Sequence, residues 1–70
     1  MESVSVILPT YNEAANIVPL AKEIAIILQK EKVSFEILVM DDNSTDGTIK
    51  LVQTLHTSLP QVLIIVRKKE

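Results

Sequence analysis

The sequence contains no cysteine and only one glycine and one histidine among its 70 residues. Without cysteine, disulfide bonds and thiolate metal sites are excluded. A single glycine, Gly47, also excludes the dinucleotide-binding fingerprint and the P-loop, because each needs several glycines in a short phosphate-binding loop. His56 has no second histidine or cysteine at ligand spacing, and we interpret it as a packing or surface residue. These absences leave neither a thiolate metal site nor a glycine-rich phosphate-binding loop for this chain.

Excess positive charge and a long apolar run are also missing. Seven Lys and Arg against nine Asp and Glu give a formal net charge of −2, and nucleic acid is not an expected partner because a polyanion needs a basic surface. The apolar stretch 14–28 is interrupted by polar residues and Pro19, so it does not supply the roughly 20 apolar residues of a spanning helix. The first residues lack the layout of a signal peptide. We expect a location in the cytoplasm or at the cytoplasmic face of a membrane.

Three apolar runs alternate with two amphipathic segments. The runs 4–8, 35–40 and 62–66 have the composition of buried strands, and the third does not alternate, which is typical of a strand covered on both faces. Pro9 is expected to end the first strand. Helical spacing follows Asn16, the predicted N-cap, and a second predicted helix start near Ser44–Asp46. The order β-α-β-α-β predicts an α/β fold, in which helices shield a parallel sheet and the crossovers are right-handed.

Two polar loops follow the first two predicted strands, and in a parallel sheet both lie at the same edge. They bring together Tyr11, Asn12, Glu13, Asp41, Asp42 and Ser44. In open α/β sheets ligands bind beyond the carboxyl ends of the strands. A tyrosine ring can stack on a base, and carboxylates accept hydrogen bonds from a base or a ribose. The pattern therefore predicts a nucleoside site.

Simpler structural roles remain open for several of these residues. The two aspartates could be ordinary loop residues, because Asp favours turns and helix N-termini. Glu13 could interact with the dipole of the first helix, and Tyr11 could cover a sheet edge. Gly47 is expected to relieve a tight helix entry that Ser44, Thr45 or Asp46 caps. The nucleoside interpretation depends on the two loops occurring together.

Two motifs carry a resemblance to family 2 glycosyltransferases. They are Ser5-Val-Ile-Leu-Pro-Thr-Tyr-Asn-Glu13 and, after a helix, Glu36-Ile-Leu-Val-Met-Asp-Asp-Asn-Ser-Thr-Asp-Gly-Thr48. The chain looks most similar to the branch that transfers mannose or glucose to dolichyl or other polyprenyl phosphates. The resemblance implies a Rossmann-like GT-A fold, of which residues 1–70 would form the donor-nucleotide-binding part. It also implies a GDP-mannose or UDP-sugar donor, an acceptor such as polyprenyl phosphate, and Mg²⁺ or Mn²⁺ bound by ligands outside this chain.

The resemblance also implies roles for individual residues. Pro9, Tyr11 and Glu13 would line the nucleobase pocket, Met40 would contact the nucleoside through its backbone, and Asp42 would hydrogen-bond the base or ribose. Asn12, Asp41 and Arg67 have weaker support: Asp41 would brace the loop, and Arg67 would approach the donor. No metal ligand and no catalytic residue is assigned.

We expect the chain alone to be inactive, because the metal and acceptor motifs of the family are absent from it. The alternative is a non-catalytic α/β interaction module that associates through an exposed sheet edge. Self-association is a partner interaction expected under that alternative.

Overall fold

The computed structural model describes residues 3–68, which form three strands and two helices in alternation. The elements are β1 (Ser3–Thr10), α1 (Ile17–Lys30), β2 (Ser34–Asp41), α2 (Thr48–Ser58) and β3 (Val62–Val66). The strands are parallel and lie in the order β1-β2-β3. At the carboxyl edge, Asp41 pairs with Thr10 on one side and with Val66 on the other. The predicted α/β fold with β-α-β-α-β order is confirmed.

Both helices pack on the same face of the sheet. Sheet order equals chain order, so crossovers of the same hand place both helices on one side of the sheet. There the two helices contact each other. The core between helices and sheet consists of Ile17, Ala21, Ala25, Ile37, Val39, Val52, Leu55 and Val62. Neither helix in the described range is long and apolar enough to cross a membrane.

The opposite face of the sheet carries no helix within residues 3–68. Ile7, Leu63 and Ile65 point to this bare face and are 61%, 38% and 46% exposed. The prediction that β3 is covered on both faces is therefore wrong for the described residues. An unalternating apolar run shows that both sides of a strand are apolar, but it does not show that both sides are packed.

The boundaries of two elements also differ from prediction. β1 continues through Pro9 to Thr10, because β1 is an edge strand and the N–H that proline lacks is not needed there. The second helix begins at Thr48 and not near Ser44–Asp46. Gly47 precedes it with φ +96°, a left-handed conformation that glycine adopts without steric cost. Asn16 occupies the predicted N-cap position of α1, although its side chain makes no capping hydrogen bond.

Candidate functional site

The loops that leave β1 and β2 at the carboxyl edge are joined by two reciprocal hydrogen bonds. The backbone N–H of Asn12 donates to Ser44 Oγ at 2.8 Å, and the backbone N–H of Thr45 donates to Asn12 Oδ1, also at 2.8 Å. We call this pair of bonds the Asn12 clasp. Asn12 has φ +53°, a region that asparagine tolerates better than most residues. The clasp links residues that lie 32 and 33 positions apart in the chain.

Two further hydrogen bonds connect the same loops next to the clasp. Glu13 N–H donates to Thr48 Oγ1 and Ala14 N–H donates to Asp46 Oδ2, both at 3.0 Å. Asp46 also accepts from the Thr48 N–H at 3.1 Å, which satisfies one free donor at the start of α2. The predicted capping role of Asp46 is confirmed in this sense, although Gly47 occupies the N-cap position.

Asp41 anchors this arrangement from inside the protein. Its side chain is fully buried, and its Oδ1 accepts from the hydroxyls of Thr10 at 2.8 Å and Ser44 at 2.6 Å. Its Oδ2 accepts from the Ser44 N–H at 2.7 Å. Desolvation by burial acts to raise the pKa of Asp41, but the hydrogen bonds from Ser44 and Thr10 outweigh it and hold the pKa below its ordinary value. Asp41 is therefore an ionised acceptor at neutral pH.

Asp42 points away from this buried network and pairs with Arg67. The Nε and Nη2 atoms of Arg67 lie 3.0 and 2.9 Å from Asp42 Oδ1. The backbone N–H of Arg67 donates to the carbonyl of Asp41 at 2.7 Å, so Arg67 continues the pairing of β3 with β2 beyond Val66. The ion pair is partly solvated, because the two side chains are 56% and 34% exposed.

An open cleft of about 590 Å³ lies over these loops and is lined by Tyr11, Asp42, Asn43 and Thr45. Its volume falls within the range of about 300–1,000 Å³ that is common for small-molecule sites. Tyr11 is 58% exposed, so its ring is accessible to a planar ligand. The cleft combines one aromatic ring with one carboxylate, an amide and a hydroxyl, which can together bind a base or a ribose.

Other candidate residues lie outside this cleft. Pro9 and Glu13 line a second cavity of about 260 Å³ beside β1 and the start of α1. Met40 is half-buried and pairs with Pro9 in the sheet. The structure thus brings Tyr11 and Asp42 together, and it places Pro9, Glu13 and Met40 in neighbouring positions at the same end of the sheet.

Sequence reasoning gave no ligand role to Asn43 or Thr45, which line the cleft. The signal for Asn43 was its position directly after two acids at a strand end, where the chain must turn. Asn43 adopts φ +62°, and asparagine is enriched among residues with positive φ. Thr45 had no comparable local signal, because its place in the cleft results from the Asn12 clasp.

The carboxylates of the described residues are not grouped as a site for a divalent cation. No group of three or more Asp, Glu or His side chains within residues 3–68 is arranged to hold a metal ion. The carboxylates of Asp41 and Asp46 already accept hydrogen bonds from the protein, and that of Asp42 pairs with a guanidinium.

Comparisons with known proteins agree on one family. The family described as Glycosyl transferase family 2 matches residues 5–70. A dolichol-phosphate mannosyltransferase of Pyrococcus furiosus is 45% identical over 67 residues, which cover 96% of this chain and 18% of that protein. The dolichol-phosphate mannosyltransferase of Saccharomyces cerevisiae is 39% identical over 67 residues, which cover 94% of this chain and 25% of that protein.

The fold is also similar to a solved structure, the mannosyltransferase from Pyrobaculum calidifontis in complex with GDP-Man and Mn²⁺. The TM-score is 0.60 at 32% sequence identity, and the match covers 94% of this chain and 19% of that chain. The chain therefore spans a quarter or less of the length of these three proteins.

Proposed function

Because the chain belongs to glycosyl transferase family 2, we propose that its carboxyl-edge cleft binds the nucleoside part of a nucleotide-sugar donor. The observation that carries the proposal is the placement of Tyr11 and Asp42 on one cleft of about 590 Å³. The ring of Tyr11 stacks on the base, and the carboxylate of Asp42 accepts a hydrogen bond from the base or the ribose. Arg67 keeps Asp42 oriented and adds positive charge beside an anionic ligand.

The remaining proposed contacts surround this pair. Pro9 and Glu13 border the base from the neighbouring cavity, and Met40 contributes through its backbone. Asp41 acts indirectly, since its carboxylate is buried and fully engaged. Asn12 also acts through the loops, because its backbone N–H and its amide oxygen are both occupied by the clasp.

The proposed reaction of the whole protein is hexose transfer from a nucleotide sugar to an acceptor such as polyprenyl phosphate. Its support is the similarity to proteins named dolichol-phosphate mannosyltransferase and to a mannosyltransferase in complex with GDP-Man. GDP-mannose is therefore the preferred donor and a UDP-sugar the second choice. We propose that Mg²⁺ or Mn²⁺ is held by groups other than the described residues, among which no cluster of three or more Asp, Glu or His side chains is arranged to hold a metal ion. We propose that residues 1–70 contribute the donor-nucleotide half and have no transfer activity alone.

Titration calorimetry of the 70-residue protein with GDP, GDP-mannose, UDP and UDP-glucose tests the nucleoside assignment. We expect the guanosine compounds to bind more tightly than the uridine compounds. Asp42→Ala should weaken binding about tenfold, because it removes one hydrogen bond to a charged acceptor. Glu31→Ala, which removes an exposed carboxylate at the opposite end of the sheet, is the matched control.

Two results would contradict the assignment. One is the absence of binding by all four nucleotides to a protein whose circular dichroism shows the folded state. The other is equal affinity of the wild type, Asp42→Ala and Glu31→Ala. Sugar transfer by the 70-residue chain would instead refute its proposed inactivity and leave the nucleoside site standing.

A second candidate function is an interaction module that pairs with another copy of itself, here through the bare sheet face and not through the sheet edge expected from the sequence. The observation that favours it is the bare sheet face, where Ile7, Leu63 and Ile65 are exposed. Sedimentation equilibrium without nucleotide tests it: a dimer that Ile65→Lys dissociates supports the candidate, and a monomer at all concentrations rejects it.

A further inference from the structure

We propose that Asn12 and Ser44 are positioning residues, and that the Asn12 clasp sets the separation between Tyr11 and Asp42 in the nucleoside cleft. The inference rests on the proposed function of that cleft and adds the device that keeps it in shape. Neither residue needs to touch the nucleotide for this role. Their effect is transmitted along the backbone to Tyr11 and Asp42, whose side chains contact the nucleotide in the proposed function.

Chain connectivity makes the clasp short and direct. Tyr11 immediately precedes Asn12, and Asp42 lies two residues before Ser44. The two bonds of the clasp run in opposite directions, one from the β1 loop to the β2 loop and one back. A shift of either loop along the other would break both bonds at once. The distance between the two ligand-binding side chains is therefore coupled to an intact clasp.

The clasp is tied to the end of the sheet through Ser44. The Ser44 hydroxyl accepts from the Asn12 N–H and donates its own proton to Asp41 Oδ1 at 2.6 Å. The Ser44 N–H donates to the other oxygen of Asp41. Asp41 is fully buried and also accepts a hydrogen bond from Thr10 at the end of β1. The hydrogen bonds of the clasp are therefore connected to the buried end of the sheet.

The clasp also holds backbone conformations that are unfavourable for L-residues. Asn12 and Asn43 have φ values of +53° and +62°, and L-residues in this region are less stable than in the right-handed region. Each lies next to one of the ligand-binding side chains, Tyr11 or Asp42. Fixed hydrogen bonds around such residues hold a conformation that a free loop would leave, which prepares the cleft before the ligand arrives.

The substitutions that test this role avoid new backbone strain. Asn12→Gly removes the acceptor for Thr45 N–H and leaves positive φ accessible. Its matched control is Lys32→Gly, which changes another residue at positive φ (+57°) at the opposite end of the sheet. Ser44→Ala removes the central hydroxyl, and Ser44→Thr retains a hydroxyl and serves as the rescue variant.

Two measurements separate positioning from simple stability. Tyr11 is the only tyrosine and the chain has no tryptophan, so fluorescence anisotropy of the free protein reports the mobility of Tyr11 directly. Calorimetry with GDP gives the affinity, and a double-mutant cycle with Asp42→Ala reports whether the clasp acts through that carboxylate.

We expect Asn12→Gly and Ser44→Ala to lower the anisotropy and to weaken GDP binding about five- to tenfold, the size of one or two lost hydrogen bonds. Ser44→Thr should restore both values, and Lys32→Gly should change neither. In the Asp42→Ala background, Asn12→Gly should lose at least half of its effect on GDP affinity.

Unchanged anisotropy in Asn12→Gly overturns the inference whatever the nucleotide result. Wild-type-like GDP affinity in Asn12→Gly and Ser44→Ala, or full additivity with Asp42→Ala, overturns it as well. If the wild type binds none of GDP, GDP-mannose, UDP and UDP-glucose, the proposed function fails. In that case a fall in the anisotropy of the variants would still show that the clasp orders the loops. The absence of nucleotide binding would refute its role in a nucleoside site.

Discussion

The two ends of the sheet are built differently. At the amino end, the connections 31–33 and 59–61 have three residues each, whereas the carboxyl-end loops 11–16 and 42–47 have six. The short connections are closed by backbone hydrogen bonds, such as Lys32 N–H to the Gln29 carbonyl and Val62 N–H to the Leu59 carbonyl. The long loops are held to each other by side chains, with Asn12, Ser44, Asp46 and Thr48 supplying the acceptors.

The two kinds of connection differ in what they have to do: the short ones only join a helix to a strand, whereas the long loops also hold the side chains of the cleft. A three-residue turn only has to reverse the chain, and its own backbone can supply the bonds. A six-residue loop loses more conformational entropy when it is ordered, and here the side chains of the other loop provide the compensating contacts. The carboxyl end of the sheet, where ordering the loops costs more conformational entropy, is also the end that carries the cleft.

The largest test of this contrast removes the buried carboxylate of Asp41. Asp41→Ala leaves the donors of Thr10 and Ser44 without their acceptor, and we expect a loss of about 3 kcal/mol in the free energy of unfolding. Ser5→Ala, which removes the bond from Ser5 to Glu36 on the exposed surface, should cost no more than about 0.5 kcal/mol. Urea unfolding measures both, and Asp41→Asn serves if the alanine variant does not fold. Equal losses in the free energy of unfolding for Asp41→Ala and Ser5→Ala would contradict a difference between the carboxyl and amino ends of the sheet.

Acid provides the second test. The pKa of Asp41 in the folded protein lies below its ordinary value of 3.8, so its contribution to stability is complete above that pH and is lost as the pH falls toward the folded-state pKa. The pKa of Asp46 is also lowered, chiefly because the Thr48 hydroxyl donates a hydrogen bond to its carboxylate. We expect the free energy of unfolding to decrease below about pH 4, with a shallower decrease in Asp41→Asn. An identical acid slope in that variant would contradict the assignment.

A comparison of two backbone positions should give a smaller effect. Gly47 has φ +96°, and a Cβ added there would meet no atom within 4 Å, so Gly47→Ala tests the cost of a positive φ without a steric clash. We expect it to cost about 1 kcal/mol. Lys32→Gly at the amino end should not lower stability, because its φ of +57° already suits glycine. Thermal unfolding of both variants checks the expectation, and a stable Gly47→Ala would argue against a rigid entry to α2.

The smallest effect on stability is expected for the ion pair of Arg67 and Asp42. Both side chains are partly exposed, and such pairs contribute about 0–1 kcal/mol. Arg67→Ala should therefore change the urea midpoint little while it weakens GDP binding, and added NaCl should reduce the difference in affinity. A stability loss as large as that of Asp41→Ala would place Arg67 in the structural network.

The sequence allowed the prediction of features that local patterns determine. The bounds of β3, the N-cap Asn16 and the meeting of the two loops at one edge were predicted correctly. Pro9 was misread because a proline is compatible with an edge strand, and edge position depends on the order of strands. Which face of the sheet is bare could not be predicted for the same reason, since only the sheet order places both helices on one side.

The Asn12 clasp could not be predicted from either loop alone. Its partners lie 32 and 33 residues apart, and the bonds use a backbone N–H on each side, which any residue except proline carries. Even the positive φ of Asn12 is only a preference of asparagine. The polar residues were visible in the sequence, but their division between ligand contact and loop support required the structure.

The constant register of the sheet has a kinetic consequence. Every β1 residue pairs with a residue 31 positions later, from Ser3 with Ser34 to Thr10 with Asp41, and β2 and β3 pair at a separation of 25. These parallel strands form no hairpin, so the chain must close a long loop before a strand pair exists, and such non-local pairing slows folding relative to a fold built from local contacts. Because the Thr10–Asp41 pair lies next to the clasp, we expect the cleft to form only after this end of the β1–β2 pair has formed.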